Sequence, residues 1–142
     1  MKILVDSREQ LPLFPGNRAT LICGDYTTQK LKSSFVIERK SLSDLYGSIV
    51  QGNKRFKAML FAAAWNRISI VVYAEGSKKN FIEKKFAQGE KRKFSSEGLE
   101  KLIKTFERKY HLEFYWHRNR AHCRREVEKC LQMEEKRLKQ PK

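Results

Sequence analysis

The feature that most constrains this chain is a short apolar run that ends in alternating charges. Residues 35–37 are aromatic or β-branched, and they lead directly into Glu38, Arg39 and Lys40. Such residues favour a strand, whereas acids are depleted in strands, so Glu38 is unusual at this position. Because side chains alternate across a strand, Glu38 and Lys40 are predicted to share one side and Arg39 to point to the other.

A second acid, Asp25, is predicted to face Glu38. The patterns of 18–28 and 34–40 fit an antiparallel pair of strands with a turn near Leu31. In this register the Cβ atoms of Asp25 and Glu38 lie about 4.5–5.5 Å apart, and two like charges at that distance repel unless a cation lies between them. Carboxylate oxygens are hard ligands, so the expected cation is Mg²⁺ or Mn²⁺.

A divalent metal beside a lysine predicts the hydrolysis of a phosphodiester. The metal activates water and polarises the phosphoryl group, while the ammonium group of Lys40 stabilises the developing charge. The ordinary alternatives are that Asp25 and Glu38 are solvated strand acids and that Lys40 simply ends a strand. The shared side of Glu38 and Lys40 favours the catalytic interpretation.

The net charge favours a polyanionic partner. The 142 residues contain 31 Lys and Arg against 16 Asp and Glu, which gives a formal net charge of +15. Nucleic acid is therefore the first expectation and an acidic membrane surface the second. No apolar run approaches the roughly 20 residues of a membrane span, so a membrane protein is not expected.

Length and cysteine content bound the organisation of the chain. A chain of 142 residues, 40% of them hydrophobic, predicts one folded domain over 1–142, with a tail at 139–142 that frays.

Three widely spaced cysteines indicate reduced thiols in a cytosolic protein. There is no signal-peptide pattern at the N-terminus. The expected location is the cytoplasm, with the nucleoid, for a prokaryotic or phage protein and the nucleus for a eukaryotic one.

Apolar periodicity predicts the order of the remaining elements. Ser41 and Asp44 fit a capping box at the start of the first helix. Strands cluster early and helices alternate with strands later, which predicts an α/β fold with a mixed central β-sheet flanked by helices. The helices at 99–110 and 121–138 carry apolar stripes. The other predicted strands are 2–6, 68–73 and 112–116, and the other predicted helices are 42–50 and 54–65.

Residues 77–94 differ in kind from their neighbours. The segment holds seven Lys or Arg residues against two acids, with a glycine inside it. We predict a mobile basic segment that contacts the phosphates of a nucleic acid. A solvated loop that only keeps the protein soluble is the alternative. The residues predicted to contact phosphate here are Lys84, Lys85, Lys91 and Arg92.

Three segments in order resemble the signature of a nuclease family. The pattern GDXnERKXXXD is matched by GD at 24–25, ERK at 38–40 and Asp44. The chain thereby resembles the XPF/Hef-type structure-selective endonucleases of the PD-(D/E)XK superfamily. An isolated E-x-K is common, whereas this ordered set is not. The similarity begins at 5–9, and at 52–56 the chain resembles the short bacterial and phage members.

The resemblance implies a restriction-endonuclease-like fold and a DNA endonuclease that depends on Mg²⁺ or Mn²⁺. It implies branched, flap or fork-like DNA as substrate and a homodimer. The metal is expected on Asp25 and Glu38, with Asp6 and Glu9 in support. Family members often carry a tandem helix-hairpin-helix domain that is not recognised here, so an excised domain or a stand-alone enzyme is expected. The catalytic candidates are Asp6, Asp25, Glu38, Arg39, Lys40 and Asp44.

Several charged residues keep two interpretations. Arg39 is expected to pair with Asp6 or Asp44, or to bind a substrate phosphate. Arg8 is expected either to bind phosphate or to pair with Asp6. Asp44 is expected to cap its helix, to support the catalytic site, or to do both. The rival functions are a DNA-binding module or dimer partner that does not cut, and an RNA-directed relative. The DNA-binding candidates outside the basic segment are Arg8, Arg39, Lys54 and Arg55.

Overall fold

Six strands form one mixed β-sheet in the computed structural model, which describes residues 1–51, 54–86 and 94–139. The strands are β1 (Ile3–Asp6), β2 (Arg18–Ala19), β3 (Tyr26–Thr28), β4 (Phe35–Ser41), β5 (Ser69–Glu75) and β6 (Glu113–His117). The helices are α1 (Leu42–Val50), α2 (Lys54–Trp65), α3 (Lys78–Ile82), α4 (Ser96–Tyr110) and α5 (Arg120–Lys139). The strand order is β2-β1-β3-β4-β5-β6, with β3 antiparallel to both of its neighbours and the other pairs parallel.

Helices cover both faces of this sheet. One buried cluster joins α1, α2, α3 and α4 to the side of the sheet that carries Val36 and Val72. The other cluster joins α5 to the side that carries Ile37 and Tyr73. The prediction of an α/β fold with a mixed central sheet flanked by helices is therefore confirmed.

The strand predicted at 18–28 is wrong as a single element. β2 pairs in parallel with β1, and a bend over residues 22–25 separates β2 from β3. Gly24 accounts for the bend because its φ of +77° lies in the left-handed region, which strands do not use. The chain therefore turns just before Asp25, and only the short β3 continues the pairing.

The predicted register between β3 and β4 is confirmed. Tyr26 pairs with Ile37 in the antiparallel ladder. Asp25 and Glu38 are therefore the next pair of facing residues in the direction of the bend. The backbone N–H of Asp25 donates to the carbonyl of Ile37 at 2.8 Å. This bond holds the bend against β4 and brings Asp25 beside Glu38.

Each of the two predicted apolar stripes buries three residues. Leu99, Ile103 and Phe106 of α4 are buried in the first cluster. In α5 the buried stripe is Cys123, Val127 and Leu131, three positions one helical turn apart.

In the described ranges, no helix combines the length and apolarity needed to cross a membrane.

The basic segment is described only in part. α3 occupies its start, and Phe81 on α3 is fully buried in the first cluster. Phe86 packs against Tyr46 and Phe81, at 5.7 Å between ring centroids in each case. These rings anchor the start of the segment to the core. Lys91, Arg92 and the predicted mobility around them lie outside the described residues, as does most of the predicted frayed tail.

Replacing Gly24 by alanine is expected to destabilise the protein. A Cβ at this position would lie 2.8 Å from Cγ2 of Val36, and φ is +77°. The left-handed backbone costs about 1–2 kcal/mol, and the steric conflict adds about 1–3 kcal/mol. Chemical unfolding of the Gly24→Ala variant measures the sum.

Gly16→Ala is the matched control for this prediction. Gly16 also has a positive φ, +70°, but a Cβ there would meet nothing within 4 Å. The control should therefore lose only the backbone contribution. Equal losses in the two variants would show that contact with Val36 does not constrain the bend.

Candidate active site

A cleft of about 520 Å³ opens where the bend before β3, the end of β4 and one face of α2 meet. Its walls bring together charged residues that are far apart in the sequence. The acidic lining residues are Asp6, Glu9, Asp25 and Glu38, and the basic ones are Arg8, Lys40 and Arg55. The apolar part of the wall includes Ile22, Phe56, Ala58, Met59 and Ala62.

Asp25 and Glu38 form a pair of neighbouring carboxyl groups, each of which shifts the pKa of the other. Burial raises the pKa of Asp25 well above its usual range, and the neighbouring charge of Glu38 raises it further. Burial also raises the pKa of Glu38, although the ammonium group of Lys40 opposes this. The pair therefore favours a proton or a cation between its oxygens.

The backbone of β4 orients the Asp25 carboxylate. The N–H of Arg39 donates to Oδ2 of Asp25 at 2.8 Å. This bond follows from the register of β3 and β4, because that register directs the N–H of Arg39 toward the bend that carries Asp25. One carboxylate oxygen of Asp25 is thus fixed by the sheet itself.

Lys40 lines the same cleft as Glu38, which agrees with the prediction that both residues lie on one side of the strand. Its Nζ is 3.4 Å from Oε2 of Glu38 and 5.4 Å from the ring centroid of Phe56. The Lys40 side chain is only 18% exposed. The α2 ring therefore holds the ammonium group close to the acid pair instead of leaving it in solvent.

Asp6 is bound by Arg8 and by a loop. Its carboxylate accepts from Nε of Arg8 at 2.8 Å, from the second terminal nitrogen of Arg8 at 3.1 Å, and from the N–H of Leu21 at 3.0 Å. Burial alone would raise the pKa of Asp6, but these hydrogen bonds outweigh it and lower the pKa. Of the two interpretations of Arg8, the structure supports the pairing with Asp6.

Arg39 points to the opposite side of β4 and joins two acids, of which Glu9 also lines the cleft. It donates to both carboxylate oxygens of Glu9 at 3.0 and 3.1 Å and to Oε1 of Glu75 at 2.6 Å. All three side chains are about 10% exposed. The predicted partners Asp6 and Asp44 are wrong because Arg39 projects away from the face that carries Asp6. A substrate phosphate could reach this guanidinium only by displacing one of the two acids.

Glu75 is a site residue that the sequence analysis missed. It is the last residue of β5 and pairs in register with Ser41, two positions beyond Arg39. The available signal was the one used for Glu38, an acid that ends an apolar strand. Tyr26 is a second omission, since its hydroxyl donates to Oε2 of Glu9 at 3.0 Å.

The metal-binding candidates fall into two groups. Asp25 and Glu38 contact each other, whereas Asp6 and Glu9 are occupied by arginines. Within the residues that the structure describes, no three His, Cys, Asp or Glu side chains are grouped as a metal site. The pair alone fits Mg²⁺, which commonly binds one or two carboxylates and keeps several waters. Ligation by Asp6 and Glu9 stays a prediction.

Asp44 lies outside the cleft lining. It is the third residue of α1, it is exposed, and its N–H donates to Oγ of the N-cap residue Ser41 at 3.1 Å. This bond shows that the Ser41 side chain caps the helix. A capping role for the Asp44 carboxylate and a catalytic role for it both stay predictions.

Four further DNA-binding candidates lie in two different settings, at the cleft and in the basic segment. Arg55 lines the cleft, and the exposed Lys54 precedes it on α2. Lys84 donates to the carbonyl of Phe94 at 2.6 Å. Lys85 forms an ion pair with Glu83 at 3.0 Å. Phosphate contact by these four residues stays a prediction.

Comparisons with known proteins identify the family and the fold of the chain. Residues 7–129 match the family model described as the ERCC4 domain. A search of curated proteins finds no match for the chain.

Two solved structures share the fold. XPF from Aeropyrum pernix aligns with a TM-score of 0.70 and 17% sequence identity, over 96% of this chain and 66% of that chain. XPF from Aeropyrum pernix in complex with DNA aligns with a TM-score of 0.68 and 17% identity, over 94% of this chain and 64% of that chain. The chain thus spans slightly less than two thirds of the length of both. At this identity the structural match concerns the fold, and the family model carries the assignment. The chain belongs to the ERCC4 domain family, that of the XPF-type nucleases.

Proposed function

We propose that this chain is an endodeoxyribonuclease that depends on Mg²⁺ or Mn²⁺ and cuts branched, flap or fork DNA. The observation that carries the proposal is the pair of neighbouring acids Asp25 and Glu38 beside Lys40 in one cleft. A buried Glu38 and a partly buried Asp25 with raised pKa values are a costly arrangement without a cation. Their position next to an ammonium group suits the hydrolysis of a phosphodiester.

Asp25 and Glu38 are the proposed metal ligands. A divalent ion held there would activate water and polarise the phosphoryl group. The backbone N–H of Arg39 keeps the Asp25 carboxylate in place, so the pair is preorganised. Asp6 and Glu9 line the same cleft and are proposed as supporting acids.

Lys40 is proposed to stabilise charge on the scissile phosphate or to orient the attacking water. Its contacts with Glu38 and Phe56 hold the ammonium group inside the cleft, where interactions with a developing charge are strongest. Arg55 lines this cleft and Arg8, 61% exposed, lies at its edge. Both are proposed to bind backbone phosphates, together with Lys54 and the basic segment.

The substrate and assembly are further parts of the proposal. The structural relative solved in complex with DNA and the net charge of +15 support DNA as the ligand. Branched DNA and a homodimer rest on the family resemblance.

The protein is expected to be a homodimer in solution. Light scattering at tens of micromolar protein measures its mass, and the mass of a monomer would contradict the dimer.

Cleavage is expected to require a divalent metal and both acids. Asp25→Asn and Glu38→Gln should each reduce cleavage of labelled flap and fork DNA by on the order of 100-fold or more. DNA affinity should survive, because the basic surface is unchanged. Gel assays with Mg²⁺, Mn²⁺ or chelator measure both quantities. Glu107→Gln, an exposed acid on α4, is the matched control. A wild-type protein that binds but never cuts would be the non-cutting module.

Asp25→Asn is expected to stabilise the metal-free protein at neutral pH. Burial raises the folded-state pKa of Asp25 above the unfolded value of 3.8, so its contribution to stability is lost as the pH rises through the folded-state pKa. The amide does not ionise and avoids that loss. Thermal unfolding in chelator should therefore show the variant above wild type at pH 8, with the difference gone below pH 3.8.

Adding Mg²⁺ or Mn²⁺ to the same samples tests the ligands without any cleavage. The ion should raise the melting temperature of wild type and not that of the Asp25→Asn variant. A variant that is less stable than wild type at pH 8 in chelator would mean that the pair needs no cation. Equal metal stabilisation of both proteins would place the ion elsewhere.

Lys40→Met is expected to slow cleavage more than it weakens DNA binding. Methionine keeps an unbranched apolar side chain beside Phe56 and removes the charge. Loss of a group that acts in the transition state typically costs about 10²–10³ in turnover. Single-turnover cleavage and binding isotherms separate the two effects, with Lys104→Met on the exposed face of α4 as control. An unchanged rate with a raised Kd would make Lys40 an ordinary phosphate contact.

A further inference from the structure

Two aromatic rings on α2 are exposed without any role in the core. Phe61 is 67% exposed and Trp65 is 79% exposed, more than any other aromatic side chain in the described residues. Their rings lie nearly parallel, with 18° between planes and 6.3 Å between centroids. Such a pair presents flat apolar faces to solvent.

The ring pair adjoins the cleft along the same helix. Ala58 and Ala62 line the cleft, and they lie three positions before Phe61 and Trp65 respectively. Residues three apart are neighbours on a helix surface. Phe61 and Trp65 lie six and ten positions beyond Arg55, or about 9 and 15 Å along the helix axis. The rings therefore form a rim that continues the wall of the cleft.

The charge around the rings selects a polyanion. No acidic residue occurs between Asp44 and Glu75, a stretch that contains the whole of α2. The first turn of α2 carries Lys54 and Arg55, and the exposed Arg67 follows two positions after Trp65. Exposed rings among basic residues are the arrangement by which proteins bind single-stranded nucleic acids, through base stacking and phosphate contact.

We propose that Phe61 and Trp65 stack on unpaired bases of a single-stranded arm beside the cut site. The identification of the arm as DNA rests on the proposed nuclease function. Paired bases inside a duplex already stack on their neighbours, so the rings take bases that are unpaired. At about 3.4 Å per stacked nucleotide, the rings lie roughly three to four nucleotides from Arg55. The pair would thus let this domain distinguish an unpaired arm from duplex.

The experiment compares two oligomers of equal length in chelator, so that no cleavage occurs. One is oligo-dT and the other is the same backbone with abasic sites, which keeps every phosphate and removes every base. Base–aromatic stacking is worth about 1–3 kcal/mol per base, which corresponds to about 5- to 150-fold in Kd for each stacked base. Wild type should bind oligo-dT tighter than the abasic oligomer by at least about fivefold.

Phe61→Ala/Trp65→Ala should abolish that preference. Its Kd for oligo-dT should rise to the value for the abasic oligomer, while the abasic Kd and its salt dependence stay unchanged because no charge is removed. Trp65→Phe keeps a ring and should retain most of the preference. Because both side chains are exposed, the double variant should unfold at nearly the wild-type temperature.

Met133→Ala/Leu138→Ala is the matched control. These apolar residues of α5 are 65% and 53% exposed, and α5 packs on the other face of the sheet from α2. The control should leave the base preference at the wild-type value. Equal loss of preference in the control and the ring variant would mean that exposed apolar area in general, and not the ring pair, drives binding.

Besides equal loss in the control, two outcomes overturn the proposal: a wild type without base preference, and a ring variant that keeps that preference. A ring variant that keeps the preference and also changes from dimer to monomer would identify the rings as a contact between copies of the chain. The nuclease proposal fails independently: wild type would then show no cleavage in Mg²⁺ or Mn²⁺, whatever the base preference in chelator.

Discussion

The site depends on one buried guanidinium, that of Arg39. Its side chain joins Glu9 from the loop after β1 to Glu75 at the end of β5, and Arg120 of α5 reaches the other oxygen of Glu75 at 3.3 Å. Removing one partner of a buried ion pair costs about 3–5 kcal/mol, because the remaining charge is left without compensation. Arg39 therefore ties three strands and a helix together immediately behind the acid pair.

The alternation of β4 separates this scaffold from the chemistry. Glu38 and Lys40 face the cleft, while Arg39 between them faces α5 with its two acids. The same residue serves both sides, since its backbone N–H fixes the Asp25 carboxylate. The anchored side chain of Arg39 thus limits movement of the strand that orients Asp25. This coupling gives a physical reason for an ERK triplet: two charges for the proposed reaction and one for their support.

The parts of the site that follow from local pattern were predictable from the sequence. The alternation of residues 35–41 predicted that Glu38 and Lys40 share a side, and the register with β3 brought Asp25 opposite. Long-range partners were not predictable in this way. The pairing of Arg39 with Glu75 depends on the parallel register of β4 and β5, and the break in the strand predicted at 18–28 depends on the positive φ of Gly24. Both are properties of the folded chain that hydrophobic periodicity does not encode.

The two arginine-bound acids differ in how readily they could be released. The Arg8 side chain is 61% exposed, so a phosphate at the edge of the cleft can draw it away from Asp6 with little loss of packing. The Arg39 side chain is 10% exposed and holds two acids at once, so the release of Glu9 would leave buried charges uncompensated. Asp6 would keep the backbone N–H groups of Arg8 and Leu21 as donors, so its carboxylate can be freed from an arginine more easily than that of Glu9. If Arg8 binds a phosphate as proposed, the electrostatics of the site depend on whether phosphate is present, because the same arginine would neutralise an acid in the free protein and a phosphate in the complex.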